Sequence, residues 1–97
     1  MLKNISEVQR ILTPVFDNYG ISRAVLFGSY AKGSATPESD LDIMVCSSLR
    51  GLKFVGFAED LRTAAGIPVD VFDVTHIDAD SPIDREIQKT GMVIYEK

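Results

Sequence analysis

The chain has 97 residues and a formal net charge of −4, with 45% hydrophobic and 25% charged residues. This length predicts one domain with one hydrophobic core, spanning residues 1–97. No apolar run approaches the ~20 residues that cross a membrane, which excludes a membrane-spanning protein. The 10 Lys and Arg residues are few and dispersed, so direct binding to a nucleic-acid backbone is not expected.

Cysteine usage and the first residues bear on the compartment. A single cysteine, Cys46, cannot form an internal disulfide, and the segment 1–4 carries no apolar stretch typical of a secretory signal. Both features predict a cytoplasmic protein. Cys46 alternates with apolar positions, so we expect it to be a small buried hydrophobe.

The first predicted element is an amphipathic helix over residues 5–19, where apolar side chains recur at helical spacing. Ser6 and Gln9 resemble a capping box at its start. Pro14 lies within the pattern and is expected to kink or split the helix. Gly20 is a suitable C-terminal residue.

Two strands follow in the first half of the chain. The apolar run 23–27 is bounded by glycines and predicts a buried strand. A Gly-Ser turn and a brief helix near 30–32 come next, and the polar, Pro-containing stretch 33–39 predicts a loop. Residues 41–46 then form a second strand.

The second half predicts two helices and two strands. A helix over 52–65 is followed by a strand over 69–74, a helix over 83–90 and an edge strand over 92–95. The order of the elements predicts an α/β or α+β fold with a mixed sheet of about four strands packed against helices. The helix over 52–65 is expected to bury an apolar stripe formed by Leu52, Val55, Ala58, Leu61 and Ala65.

Two carboxylates open the second strand. Asp40 and Asp42 are two residues apart, so on a strand their side chains leave the same face. Their Cβ atoms are then about 6–7 Å apart, which suits a pair of divalent ions ~3.5–4 Å apart. Without a cation, unit charges about 4 Å apart repel by ~4 kcal/mol at an effective dielectric of ~20. The pair therefore predicts a metal site, although a solvated turn is the alternative.

The Gly-Ser turn before them predicts an anion site. Gly28 permits a tight turn that brings backbone N–H groups close to a ligand. Ser29 stands at the start of the short helix, where free N–H groups favour phosphate, and it is also a candidate helix N-cap. Lys32 is a candidate phosphate ligand or a surface lysine.

A third carboxylate is predicted on the later strand. Asp70 lies between Val69 and Val71 and shares a face with Phe72, so it needs a partner such as a bound metal. A carboxylate on an edge strand facing water is the alternative. Asp73 faces the opposite way and is expected to be solvated.

These motifs together resemble a known signature. Gly28-Ser29-Tyr30-Ala31-Lys32-Gly33, then Ser39-Asp40-Leu41-Asp42 and later Val69-Asp70-Val71-Phe72 are similar to the polymerase-β-type nucleotidyltransferase superfamily. Length and layout are closest to its minimal nucleotidyltransferases (MNT), small proteins often paired with a HEPN-type partner. The resemblance runs over residues 5–95.

The resemblance implies a reaction and a set of roles. Asp40 and Asp42 would hold two Mg²⁺ ions that bridge a nucleoside triphosphate, and Asp70 would share the catalytic metal and help deprotonate the attacking hydroxyl. Gly28 and Ser29 would hold the β- and γ-phosphates. The expected activity is transfer of a nucleoside monophosphate, AMP from ATP, to a hydroxyl of a separate HEPN-family protein, with this chain acting as its antitoxin.

Several alternatives stay open at this point. A non-catalytic module that neutralises a HEPN-type partner by masking it fits the same resemblance. Tyr30 is expected to pack on a base or on the helix, and His76 to be a surface histidine or a base. The sequence does not decide the nucleotide preference, the acceptor residue, or whether the chain forms a homo- or hetero-oligomer.

Overall fold

A computed structural model gives the fold of residues 4–97. The first three residues, which belong to the segment expected to lack a secretory signal, lie outside the described part. The elements, in chain order, are α1 (Ile5–Asn18), β1 (Arg23–Phe27), α2 (Ser29–Lys32), β2 (Leu41–Cys46), α3 (Leu52–Ala65), β3 (Val69–Asp73), a 3₁₀ turn (Val74–His76), α4 (Pro82–Thr90) and β4 (Met92–Glu96).

The strands form one mixed sheet in the order β3-β2-β1-β4. β1 is antiparallel to both β2 and β4, whereas β2 and β3 are parallel and are joined by the crossover through α3. The C-terminal end of β1 therefore meets the N-terminal ends of β2 and β3 at one end of the sheet. The predicted mixed four-stranded sheet is confirmed, with β4 on its edge.

Helix α1 is continuous through Pro14, so of the two predicted effects, a kink or a split, the split is wrong. Proline removes one helical hydrogen bond, but buried residues on either side of it pack into the same core. The N-cap is Asn4, two residues before the Ser6 of the predicted capping box, and its side chain accepts a hydrogen bond of 2.9 Å from the Glu7 N–H. The buried residues of α1 are Val8, Leu12 and Phe16.

Helix α3 has the predicted bounds and buries Ala58, Leu61 and Ala65 of the predicted stripe, but not the first two residues of that stripe. Leu52 is 88% exposed and Val55 is 56% exposed, contrary to the predicted stripe. Phe57 is fully buried instead, with its ring centroid 6.2 Å from Phe16 and 5.3 Å from Tyr19. The Phe57 ring packs among the neighbouring rings of Phe16, Tyr19 and Phe54, and these contacts accompany the rotation that leaves Leu52 and Val55 in water.

The sheet separates two apolar clusters. The larger lies under α1 and α3 and includes Leu41, Ile43 and Val45 of β2. The smaller lies on the opposite face, where Met44 packs with side chains that include Ile87 of α4. Alternation along β2 therefore places Asp42 on the face that carries α4.

The rotation of α3 predicts a contrast between two of its apolar residues. Phe57→Ala is expected to lower the free energy of unfolding by about 3–5 kcal/mol, since it removes a fully buried ring. Leu52→Ala is expected to change it by no more than about 0.5 kcal/mol, because that side chain already faces water. Urea unfolding of the two variants measures both values. Equal losses would contradict the observed packing.

Candidate active site

Three carboxylates are brought to one end of the sheet by strand register. Asp42 and Asp70 are direct partners in the parallel pairing of β2 and β3, so their backbones lie about 4.8 Å apart. Asp40 lies just before β2, two residues from Asp42. Asp42 is half-buried, whereas Asp40 and Asp70 are exposed. The structure therefore gathers the predicted carboxylates where β1 ends and β2 and β3 begin.

The charges at this end of the sheet act on Asp42. Burial raises the pKa of the Asp42 carboxyl, and the negative charges of Asp70, Asp40 and Glu86 raise it further. Glu86 lies on α4 and is an additional acidic group that sequence reasoning missed. Its only sequence signal is a place beside Ile87 in a mixed helical pattern, which is too common to single it out.

Gly28 makes a close approach to one of these carboxylates. It is the N-cap of α2, buried, with φ of 78° and ψ of −150°, a conformation that side chains rarely adopt. A methyl group added at Gly28 would overlap Oδ2 of Asp42. The Gly28 N–H donates a hydrogen bond of 3.0 Å to Oγ1 of Thr90, a second residue of α4 that sequence reasoning missed.

The short helix α2 differs from expectation at its first residue. Gly28 is the N-cap, so Ser29 is the first helical residue and makes no capping hydrogen bond. Helix geometry leaves the first N–H groups, from Ser29 onward, without partners inside the helix. Tyr30 is 6% exposed and belongs to the larger core cluster, which settles its packing against protein. Lys32 Nζ lies 3.5 Å from Oε1 of Glu86.

Asp73 lies at the opposite end of β3, and the expectation that it is solvated is wrong. It is 7% exposed and accepts hydrogen bonds from the Thr75 N–H (2.9 Å), the Thr75 hydroxyl (2.8 Å) and the Ser47 hydroxyl (3.1 Å). Burial raises its pKa, but these bonds and the nearby His76 outweigh burial, so the pKa is lowered. Asp73 thus caps the 3₁₀ turn.

The remaining candidates lie away from the acidic end. His76 is exposed beside Asp73, next to a cavity of about 340 Å³ that is also lined by Phe54 and Ser47. Cys46 is half-buried beside the smaller apolar cluster, so it is less buried than predicted. This cavity is larger than the one beside α2, but Asp40, Asp42 and Asp70 line neither of the two.

The acidic end fits Mg²⁺ by the chemistry of its donors. Carboxylate oxygens are the protein ligands that Mg²⁺ prefers, and an ion among Asp40, Asp42 and Asp70 would offset the repulsion that raises the Asp42 pKa. Within residues 4–97, no three acidic, His or Cys side chains stand close enough to form a ready metal centre.

In the same range, no helix is long and apolar enough to span a membrane.

Comparison with known families identifies this arrangement. A family model described as polymerase beta, nucleotidyltransferase matches residues 10–97. The chain belongs to this family. The predicted assignment to polymerase-β-type nucleotidyltransferases is therefore confirmed, and the carboxylates and the Gly-Ser turn lie in the matched region.

Relatives and solved structures extend the comparison. A Methanocaldococcus jannaschii protein named as a candidate protein adenylyltransferase is 43% identical over 78 residues, covering 76% of this chain and 82% of the relative. Protein adenylyltransferase MntA of Thermococcus cleftensis is 35% identical over 75 residues, covering 69% and 74%. A complex of tri-AMPylated Shewanella oneidensis HEPN toxin with MNT antitoxin contains a chain with the same fold (TM-score 0.72, 18% identity, 96% of this chain and 73% of that chain).

The two buried or half-buried aspartates predict opposite pH effects. The folded pKa of Asp42 lies above its unfolded value, so stability falls as pH rises from about 4 through the folded pKa. Asp42→Asn removes this cost, and its thermal midpoint at pH 7 in EDTA is expected to exceed that of the unmodified chain. The difference should shrink in acid. A lower thermal midpoint for Asp42→Asn would show that the charge of Asp42 does not oppose folding.

Asp73 has a folded pKa below its unfolded value, so its contribution is present above about pH 4 and is lost as pH falls through the folded pKa. Asp73→Asn is expected to cost about 1.5–3 kcal/mol at pH 7, because hydrogen bonds to an ionised group are lost. Urea unfolding between pH 3 and pH 7 measures this value. A cost that is independent of pH would contradict a lowered pKa of Asp73 in the folded protein.

Proposed function

We propose that this nucleotidyltransferase is a Mg²⁺-dependent protein adenylyltransferase that transfers AMP from ATP to a hydroxyl of a separate HEPN-type protein, and that it is the antitoxin of that partner. The observation that carries the proposal is the apposition of Asp42 and Asp70 beside the Gly28 turn. The similarity to MntA and to the MNT antitoxin fold supports AMP as the transferred group and a HEPN protein as the acceptor.

The carboxylates have distinct roles in this proposal. Asp40, Asp42 and Asp70 would hold two Mg²⁺ ions, which when bound neutralise phosphate charge and orient the triphosphate for in-line attack. Asp70, exposed at the outer strand of the site, helps to remove the proton from the attacking hydroxyl. The hydroxyl oxygen forms a bond to the α-phosphorus, the bond to the bridging oxygen breaks, and pyrophosphate leaves.

The turn and α2 bind the phosphates. Gly28 allows the backbone to approach, and the first N–H groups of α2 with the Ser29 hydroxyl face the β- and γ-phosphates. Lys32 adds a positive charge at the last residue of α2, where its ammonium group lies 3.5 Å from Oε1 of Glu86. Catalysis then depends on positioning and charge neutralisation.

Transfer can be measured directly. The chain is incubated with Mg²⁺, α-labelled ATP and a co-encoded HEPN-type protein, and the partner is analysed by intact mass. We expect the partner to gain one or more AMP units, and Asp42→Asn to abolish the gain because it removes a metal ligand. Asp78→Asn is the control for the change of charge, since it also neutralises one aspartate, but an exposed one that lies outside the site. Normal transfer by Asp42→Asn would refute the mechanism.

Neutralisation of the partner separates catalysis from masking. In cells that express the HEPN-type partner, the double variant Asp40→Asn/Asp42→Asn is expected to lose protection, because it keeps the protein surface but removes the metal site. Growth of cells with the variant and with the unmodified chain measures protection, and co-purification of the two proteins checks that they still associate. Full protection by the double variant would instead establish the masking module.

A further inference from the structure

Helix α4 contacts both ends of the short helix α2. Oγ1 of Thr90 accepts the hydrogen bond of 3.0 Å from the Gly28 N–H at the start of α2. One turn earlier on α4, Glu86 pairs with Lys32 at the end of α2, with a separation of 3.5 Å. Residues four apart lie on the same face of a helix, so one face of α4 spans the whole length of α2.

The Thr90 contact acts on the most constrained peptide of the turn. Gly28 has a conformation with positive φ, and its bare Cα faces Oδ2 of Asp42. The N–H that Thr90 binds belongs to the peptide between Phe27 and Gly28, so the hydrogen bond fixes the plane of that peptide. The orientation of this peptide determines the position of the Gly28 backbone relative to the Asp42 carboxylate.

The Thr90 hydroxyl has both of its hydrogen-bonding roles filled. It accepts from the Gly28 N–H and donates to the Glu86 carbonyl oxygen at 2.8 Å. The end of α4 is itself held against β1, since a Cβ at Gly91 would come within 3.0 Å of Cγ1 of Val25. The single proton of the hydroxyl is therefore used within α4, and the hydroxyl connects the turn to a helix that packs against β1.

We propose that Thr90 is a positioning residue for adenylyl transfer, which fixes the Gly28 peptide so that the phosphate-binding turn and Asp42 keep their relative placement. This inference rests on the proposed function. The Glu86–Lys32 pair is a second connection, but it is partly exposed, and exposed ion pairs contribute little. Thr90 is thus the residue on which the placement of the turn depends.

Three variants test the proposal. Thr90→Val removes the hydroxyl with little change of shape, and Thr90→Ser restores it. Thr13→Val is the matched control, because the Thr13 hydroxyl makes the same type of bond to the carbonyl four residues earlier (2.6 Å to Gln9 O) but lies on α1, away from the site. Thr90→Ala serves as a second deletion should valine disturb packing, and NMR spectra verify that each variant is folded.

Two readouts are used on the full chain. Hydrogen exchange of the Gly28 amide, followed by NMR without nucleotide, is expected to become about tenfold faster in Thr90→Val, the upper range for loss of one hydrogen bond. For AMP transfer to the HEPN-type partner, we expect kcat to fall about tenfold and the KM for ATP to change less. A misplaced turn reduces stabilisation of the transition state more than it reduces binding of ATP. Thr90→Ser and Thr13→Val should match the unmodified chain in both.

The outcomes separate this inference from the proposed function. Unchanged Gly28 exchange in Thr90→Val, or faster exchange with normal kcat, would overturn the positioning role. A loss of kcat that Thr90→Ser does not rescue would also overturn it. If the unmodified chain transfers no AMP to the partner, the proposed function fails, and the exchange measurement still decides whether Thr90 holds the turn.

Discussion

The carboxylate of Asp42 lies so close to the Cα of Gly28 that no side chain fits between them. Strand pairing imposes this approach, because Phe27 at the end of β1 is opposite Asp42 on β2, so the chain must turn at the next residue. A residue with a side chain would push the turn away from the carboxylate or push β2 out of register. Strand pairing and the bare Cα of Gly28 thus set how closely the turn approaches the Asp42 carboxylate, and the Thr90 hydrogen bond holds the turn peptide in that place.

Two aspartates at opposite ends of the sheet have opposite electrostatic surroundings. Asp73 is buried among hydroxyl and amide donors, so its negative charge is stabilised by the fold. Asp42 is half-buried among other carboxylates, so its charge opposes folding. A group whose ionised form is disfavoured by its surroundings is a common property of functional sites, and here the large core beneath α1 and α3 offsets that cost.

Much of the site followed from the strict two-residue period of strands. Alternation placed Asp40 and Asp42 on one face of β2 and Asp70 on the Phe72 face of β3, whereas the family resemblance joined the three into one site. The rotation of α3 did not follow, because Leu52 and Phe57 offer competing apolar faces and only the neighbouring rings decide between them. The burial of Asp73 depends on Ser47, which comes from a different loop. Contacts of α4 join residues 62 positions apart, as between Gly28 and Thr90, and no local pattern encodes them.

The parallel register of β2 and β3 has a consequence for how this chain tolerates changes in length. The exposed loop between α2 and β2, residues 33–38, can gain or lose residues without moving any strand, because pairing with β1 holds β2 in place. The crossover from β2 to β3 has less freedom, because β3 is an edge strand that is held by β2 alone. A slip of one residue would turn Asp70 to the other face, and a slip of two would carry it about 6.6 Å along the sheet. Insertions and deletions that leave activity intact should therefore be tolerated better in the first connection than in the second.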